Sequence, residues 1–177
     1  FDQLAKGQGH KFDHGHAIVV TGGAGRTGAA RLSGRAALRM GAGLVTLAVP
    51  PAAQMEVAMQ ITALMLSRVT GPEDLAELAG DKRVRALCIG PGLGLKPAHV
   101  ALVQAVLECG TPCVLDADAL TLIAQEPTLW ERLGPHCVLT PHGGEFARLF
   151  PDIAARLAAP ATKGPAYSKV DATRAAA

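Results

Sequence analysis

The strongest constraint on the fold of this 177-residue chain is a set of short, almost uninterrupted apolar runs bounded by glycine or proline. A strand with one exposed face alternates apolar and polar residues, whereas a strand buried on both faces does not need to. The runs are HAIVVTG (16–22), GLVTLAVP (43–50), RALCIGP (85–91), PCVLDAD (112–118) and HCVLTP (136–141), with ITALML (61–66) as a weaker sixth. They predict the strands of a parallel sheet that is covered on both faces.

Segments with helical periodicity separate these runs. TGAARLSGRAALRMG (27–41) places apolar residues among arginines and ends at a glycine, a common helix stop. KPAHVALVQAVLECG (96–110) has a proline near its first turn and also ends at a glycine. Strand and helix alternating in this order predict an α/β fold, with a doubly wound, mainly parallel sheet and helices on both faces.

The composition excludes several classes of protein. Hydrophobic residues make up 49% of the chain and charged residues 18%, which argues against disorder. Aromatic residues make up 3% and the net charge is +2, so neither base stacking nor a basic stripe indicates a nucleic-acid partner. No apolar run approaches the roughly 18 residues of a membrane span, and no signal peptide is visible. We therefore expect a cytoplasmic protein without nucleic-acid or membrane partners.

The cysteines and histidines do not show a metal-binding spacing. Cys88, Cys109, Cys113 and Cys137 lie mostly inside apolar runs and form no CxxC pair. Such cysteines are typical of small buried side chains in a reducing compartment. The segment GHKFDHGH (9–16) holds three histidines and an aspartate, but its ligand spacing matches no known metal motif. The sequence therefore predicts no metal site.

Two glycine-rich turns follow predicted strands, and ligands of doubly wound sheets bind beyond the carboxyl ends of the strands. TGGAGRTGAA (21–30) offers a close backbone approach and the amides of a helix N-terminus, which bind anions. It is not a P-loop, and no acidic ribose partner is apparent after the next strand, so a tight turn without a ligand stays an alternative. IGPGLGL (89–95) predicts a rigid loop whose exposed amides contact an anion or substrate.

Two further turns carry titratable residues. In LDADAL (115–120), Asp116 and Asp118 are expected to point to the same side, where they could bind a ribose or Mg²⁺ or act as a base. The alternative is that one of them caps the following helix. In VLTPHGGEFARLF (138–150), His142 projects from a strand-to-helix turn, and a purely structural histidine is the alternative there.

Together and in this order, these motifs resemble the ADP- or ATP-dependent NAD(P)H-hydrate dehydratases, a branch of the ribokinase-like superfamily. That family opens with a His-Lys-Gly-(Asp) segment, similar to HKFDHG here, and continues with a glycine and TGAA block like residues 22–47. GPGLG (90–94), DADAL (116–120) and TPHGGEFARL (140–149) follow. The resemblance covers about residues 10–150 with consistent spacing.

The resemblance implies a repair lyase. It would return hydrated NADH or NADPH to the working cofactor at the expense of ADP or ATP, with Mg²⁺ expected. It implies that Ala29, Gly94 and His142 contact the hydrated cofactor, with His142 positioning it rather than transferring a proton. The other predicted substrate-binding residues are Gly25, Thr27, Gly92, Asp116 and Asp118. No catalytic residue is expected within this chain.

The chain departs from the family pattern at several places. Gly143 stands where the family has proline, Thr121 where it has asparagine, and Phe12 where it has glycine. The family's Lys-Gly strand region and Gly-Thr-Gly-Asp loop do not appear in residues 151–177, where TKGP (162–165) is typical of a loop before a final helix. We therefore expect an N-terminal segment, 1–15, followed by the N-terminal portion of a ribokinase-like dehydratase domain, 16–177, incomplete at its C-terminus.

We expect this polypeptide alone to show no dehydratase activity, because the family places the nucleotide phosphates and the catalytic aspartate in the Gly-Thr-Gly-Asp loop. Incubation with hydrated NADH and ADP, followed at the absorbance of the reduced nicotinamide, checks this expectation. Recovery of that absorbance would contradict it.

The resemblance leaves the partners and the class of protein open. Bifunctional relatives carry a fused epimerase domain upstream, and an unfinished sheet edge favours a homo-oligomer. The alternatives are a non-catalytic nucleotide-binding module, which needs the glycine loops but not the catalytic aspartate, and a small-molecule kinase of the same superfamily. The parent gene would discriminate, because a Gly-Thr-Gly-Asp loop downstream indicates an enzyme.

Overall fold

The computed structural model describes residue 11, residues 13–160 and residues 166–177. Phe12 and TKGP (162–165) lie outside the described residues. The chain divides into two compact units, the first ending at Thr140 and the second comprising Pro141–Ala177. The division expected from the sequence, with a segment 1–15 and one domain portion 16–177, stays a prediction.

The first unit contains a six-stranded sheet in which every pairing is parallel. Its strands are β1 (His16–Val20), β2 (Leu44–Val49), β3 (Met65–Arg68), β4 (Val84–Ile89), β5 (Cys113–Leu115) and β6 (Cys137–Leu139). Their spatial order is β3-β2-β1-β4-β5-β6. The predicted doubly wound α/β fold is confirmed.

One predicted strand is misplaced. The run ITALML (61–66) predicts a strand, but β3 begins only at Met65, after a bend over residues 62–64. Leu64 is nevertheless buried, with 8% exposure, and belongs to the core cluster beneath β2. Ile61 and Leu64 therefore pack against the core from a bend, which an apolar run cannot distinguish from a strand.

Six helices connect the strands within the described part of the first unit. They are α1 (Gly28–Arg39), α2 (Gln54–Ala58), α3 (Pro72–Ala79), α4 (Pro97–Glu108), α5 (Asp118–Gln125) and α6 (Pro127–Trp130), with a 3₁₀ turn at Pro51–Ala53. The two helices predicted from periodicity correspond to α1 and α4, within two residues at each end. Proline occupies the first position of α3, α4 and α6, where its missing N–H costs nothing.

His16, the last histidine of the N-terminal segment, has a structural role. His16 is buried, and its Nε2 lies 2.7 Å from the Thr46 hydroxyl oxygen across the β1–β2 pair. Burial lowers the pKa of His16 below its ordinary value of 6.5. The side chain is thus a satisfied core histidine.

The second unit is helical. It contains α7 (Gly143–Leu149), α8 (Pro151–Ala158) and α9 (Lys169–Ala176), so the predicted final helix is present. The rings of Phe146 and Phe150 pack 5.1 Å apart, and Ser168 caps α9 by accepting from the Asp171 amide. None of the described helices in either unit has the length and apolarity to cross a membrane.

Candidate functional site

The reversal of strand order in the first unit creates a crevice. From β1 the chain moves outward to β2 and β3 and then returns to β4 on the other side of β1. The loops after β1 (residues 21–27) and after β4 (residues 90–96) therefore leave the sheet side by side. This is the point at which open α/β sheets bind ligands.

Two of the glycines allow these loops to touch each other. A Cβ atom on Gly22 would lie 1.9 Å from the carbonyl oxygen of Gly92. Gly92 has a φ of +68°, and its own Cβ would lie 2.5 Å from the carbonyl oxygen of Arg26. The sequence suggested that both glycines let the backbone approach a ligand. In the structure they are required because the two loops contact each other there. Contact of Gly92 with substrate stays a prediction.

The start of α1 is open by contrast. No described atom lies within 4 Å of a Cβ placed on Gly25 or Gly28. Gly25 and Ala29 are exposed, whereas Thr27 is fully buried at the position before the helix. Two of the predicted substrate-binding residues, Gly25 and Ala29, are therefore accessible at a helix N-terminus, and Thr27 shapes the turn from inside.

Glu56 on α2 is a site residue that the sequence does not reveal. Its carboxylate accepts from the Gly25 amide at 2.6 Å and from the Thr27 hydroxyl, and Arg31 Nε donates to Thr27 Oγ1 at 3.2 Å. The Gly25 amide and then the Thr27 hydroxyl lower the pKa of Glu56. The absence of an acidic ribose partner after the next strand stays a prediction. Glu56 follows β2, and it binds the loop itself.

Asp116 and Asp118 contact neighbours on opposite sides of β5. Asp118 accepts from the Gly94 amide at 2.7 Å, and Asp116 accepts from the Thr140 hydroxyl beyond β6 at 2.9 Å. The expectation that both point to one side is wrong, because Ala117 between them has φ +47° and ψ −116° and interrupts the extended backbone. Helix capping is also not their role, since Ala117 holds the cap position of α5 without a side-chain hydrogen bond.

The strained residue lies against the second glycine loop. A non-glycine residue in this region of φ/ψ space costs about 1–3 kcal/mol and persists only where its surroundings enforce it. Gly90 packs there so closely that a Cβ on it would lie 1.8 Å from the carbonyl oxygen of Asp116. The Asp118–Gly94 hydrogen bond ties the same two segments together. The ends of β4 and β5 thus form one rigid corner.

The two loops line a small cavity in the first unit. It measures about 210 Å³, and its walls include Thr21, Gly23, Arg26, Leu93, Lys96 and His99. Gly94 adjoins this wall with φ +98°, its Cβ direction facing the His99 ring and the Arg26 guanidinium. The His99 Nδ1 accepts from the Lys96 amide at 3.2 Å. Two cations and an imidazole therefore line part of a cavity whose remaining wall is largely apolar, and this polar part suits an anionic group. Arg26, Lys96 and His99 carry no motif that the sequence could have singled out.

His142 begins the first helix of the second unit. Its Nδ1 accepts from the amides of Gly144 at 3.0 Å and Glu145 at 3.4 Å, and Glu145 Oε2 accepts from the His142 amide at 2.9 Å. This reciprocal pair is a capping box. The ring is 69% exposed, with Nε2 3.4 Å from Glu145 Oε1. His142 therefore has a structural role, and its contact with substrate stays a prediction.

Comparison with protein families places most of the chain in one of them. Residues 17–173 match the family model described as NAD(P)H-hydrate dehydratase. A bifunctional NAD(P)H-hydrate repair enzyme of Coxiella burnetii is 41% identical over 140 residues, covering 79% of this chain and 28% of the relative. The enzyme of the same description from Moorella thermoacetica is 42% identical over 161 residues, covering 84% and 30%. The chain thus spans less than a third of the length of these relatives.

Solved structures agree with this assignment. The ADP/ATP-dependent NAD(P)H-hydrate dehydratase from Bacillus subtilis, co-crystallized with ATP/Mg²⁺, is 28% identical with a TM-score of 0.62, covering 83% of this chain and 51% of that one. A Streptococcus mutans protein with a TM-score of 0.75 covers 97% of this chain and 58% of that one, and at 21% identity it supports the fold alone. The family match agrees with the parallel sheet and with the loops 21–27 and 90–96 at its crevice. The chain belongs to the NAD(P)H-hydrate dehydratase family.

Proposed function

We propose that this chain binds the hydrated cofactor in a lyase that converts NAD(P)H hydrate to NAD(P)H at the expense of ADP or ATP. The observation that carries the proposal is the cavity between the loops 21–27 and 90–96, where the side chains of Arg26, Lys96 and His99 line the wall. NAD(P)H hydrate carries a pyrophosphate, and a guanidinium, an ammonium and helix N-terminal amides are the groups that bind such an anion. The relatives' names supply the reaction.

Two carboxylates of the site hold the backbone of the loops 21–27 and 90–96 in place. Asp118 fixes the Gly94 amide, and Glu56 fixes the Gly25 amide and the Thr27 hydroxyl, so neither loop has to order itself when the ligand arrives. Positioning of this kind is a main source of catalysis in phosphoryl transfer. A cavity of about 210 Å³ is smaller than a whole dinucleotide site, so it receives one part of the ligand.

In this proposal the phosphoryl donor is ADP or ATP, and Mg²⁺ binds with that nucleotide. Asp116 and Asp118 contact partners on opposite sides of β5 and do not converge as a pair of Mg²⁺ ligands. We therefore assign neither aspartate to the metal. Both serve the substrate-binding corner.

The wider setting of the chain follows from its relatives and is also proposed. The relatives are named bifunctional, which favours a parent protein with a second activity, such as the fused epimerase domain that the resemblance left open. We further propose a homo-oligomer located in the cytoplasm. Size-exclusion chromatography with light scattering measures the oligomeric state.

Binding of (6S)-NADPH hydrate tests the proposal. Isothermal titration of the purified chain is expected to show one saturable site, and Arg26→Gln is expected to weaken it by about 10- to 100-fold because a charge-assisted contact is lost. Arg35→Gln is the matched control, since Arg35 is exposed on α1 and does not line the cavity. Equal affinity in the two variants would contradict the proposal.

His142 allows its two roles to be separated. His142→Asn keeps an N-cap acceptor, so we expect an unchanged Tm and a hydrate affinity reduced by about tenfold, the equivalent of one hydrogen bond. His142→Ala removes the cap as well and is expected to cost a further ~1 kcal/mol of stability. Thermal unfolding and titration of both variants provide the measurement. Full affinity in His142→Asn would restrict the histidine to its cap.

A further inference from the structure

The amino ends of β5 and β6 bring together two thiols and an imidazole. Cys113 and Cys137 are the first residues of these strands and are register partners across the parallel pair. His136 directly precedes β6, and its carbonyl oxygen accepts from the Cys113 amide at 2.9 Å. The group lies at the amino ends of the strands, whereas the loops 21–27 and 90–96 follow carboxyl ends. A role for this group is therefore separate from the proposed function.

The distances within this group suit a shared ion. The two sulfur atoms lie 3.7 Å apart, and one potential ligand atom from each residue lies within 4.8 Å of the other two. Two thiolates bound at about 2.3 Å to one tetrahedral zinc ion have sulfur atoms about 3.8 Å apart. A disulfide requires about 2.05 Å. The observed separation excludes a disulfide and fits two ligands of one metal ion, although two thiols in direct contact lie at a similar distance.

The histidine supplies a second, independent observation. His136 Nε2 is buried and has no hydrogen-bond partner among the described residues. Buried polar atoms without a partner are rare, and each needs an explanation. Coordination to a metal ion would satisfy this nitrogen. Cys113 is 2% exposed while His136 and Cys137 are half-buried, so the group is sheltered but within reach of an ion from solution.

We propose that Cys113, His136 and Cys137 bind Zn²⁺, with solvent in the fourth position. Thiolate and imidazole ligands select zinc over Mg²⁺ and Ca²⁺, which prefer oxygen. The ion would join β5 to β6 at the end of the sheet remote from the cavity. The sequence conceals this site, because 23 residues separate Cys113 from Cys137 and only the strand register brings them together.

Cobalt substitution of the reduced, metal-free 177-residue chain tests the proposal. We expect one equivalent of Co²⁺ to bind with the charge-transfer absorption of a cobalt–thiolate bond and the visible bands of a tetrahedral ion, and Zn²⁺ to displace it. Zinc at about a hundredfold its Kd is expected to raise the Tm by roughly 5–10 °C. The thiolate band distinguishes this site from adventitious binding to the N-terminal histidines.

Three variants complete the test. Cys137→Ser and His136→Leu are expected to lose either the thiolate band or the visible bands of a tetrahedral cobalt ion. Both variants are also expected to lose the zinc-dependent rise in Tm. His136→Leu removes a buried nitrogen that has no partner in the described part of the chain, so its metal-free fold should persist, as circular dichroism will show. Cys88→Ala is the matched control, because this half-buried thiol lies outside the group, and it should retain both signals.

Two results would overturn the proposal. One is a reduced chain that shows neither the thiolate band nor a rise in Tm with zinc, or variants that keep both signals. The other is a Cys113–Cys137 disulfide, found by peptide mass spectrometry of the air-oxidised chain, in a protein whose reduced form takes up no metal. That result would make the pair a redox couple instead.

Discussion

Replacing Gly90 with alanine is expected to lower the free energy of unfolding by about 3–5 kcal/mol, a large part of the ~5–15 kcal/mol of a typical domain. Gly90 has a φ of +130°, which side chains rarely adopt, and a Cβ there would lie 1.8 Å from the Asp116 carbonyl oxygen. That oxygen belongs to the backbone beside the strained Ala117 and cannot move aside cheaply. The corner between β4 and β5 would have to open.

Two control variants separate the causes of this loss. Gly110 also has a positive φ, +65°, but no described atom lies near its Cβ position, so Gly110→Ala measures backbone strain alone, about 1–2 kcal/mol. Gly28→Ala has neither strain nor contact and is expected to be neutral. Urea unfolding followed by the fluorescence of Trp130, the chain's single tryptophan, reports on the first unit. A Gly90→Ala cost no larger than that of Gly110→Ala would contradict the close contact.

The second large effect is expected at Asp118. Asp118→Ala removes the acceptor of the Gly94 amide, which costs about 1–3 kcal/mol of stability for a bond to a charged group. The 90–96 loop also loses its anchor to α5, so part of the binding free energy must be spent on ordering it. We expect the affinity for NADPH hydrate to fall by about 10- to 100-fold.

A control on the second unit calibrates this result. Asp152 is exposed in the first turn of α8, so Asp152→Ala changes the same charge without touching the loop. Titration of both variants with NADPH hydrate, at a temperature well below either Tm, gives the comparison. If Asp118→Ala binds as tightly as Asp152→Ala, the loop does not need its anchor.

The fold was largely predictable because its evidence is local. Runs such as AIVV and LVTLAV are apolar on both faces, and only a parallel sheet covered on both sides buries them. The exception is ITALML, where a buried Leu64 in a bend has the same apolar signature as a strand. The residues of the edge strand β3 are exposed or half-buried, so no apolar pattern marks where this strand begins and ends.

The site was less predictable because its contacts are not local. The bonds of Glu56 to Gly25 and Thr27 span 31 and 29 positions, and no spacing rule connects them. The divergence of Asp116 and Asp118 depends on the unusual backbone of Ala117, which the residue type alanine does not suggest. The cap at His142 was easier to predict from the sequence, because Glu145 stands three residues later, as in a capping box.

We propose that the hydrated cofactor binds in the crevice between the 21–27 and 90–96 loops. Amide chemical-shift mapping of this 18.2 kDa chain tests it most directly, with (6S)-NADPH hydrate added stepwise. We expect saturable shifts centred on the amides of Gly23, Gly25, Gly94 and Lys96. Shifts confined to other surfaces, or a spectrum unchanged at saturating hydrate, would contradict it.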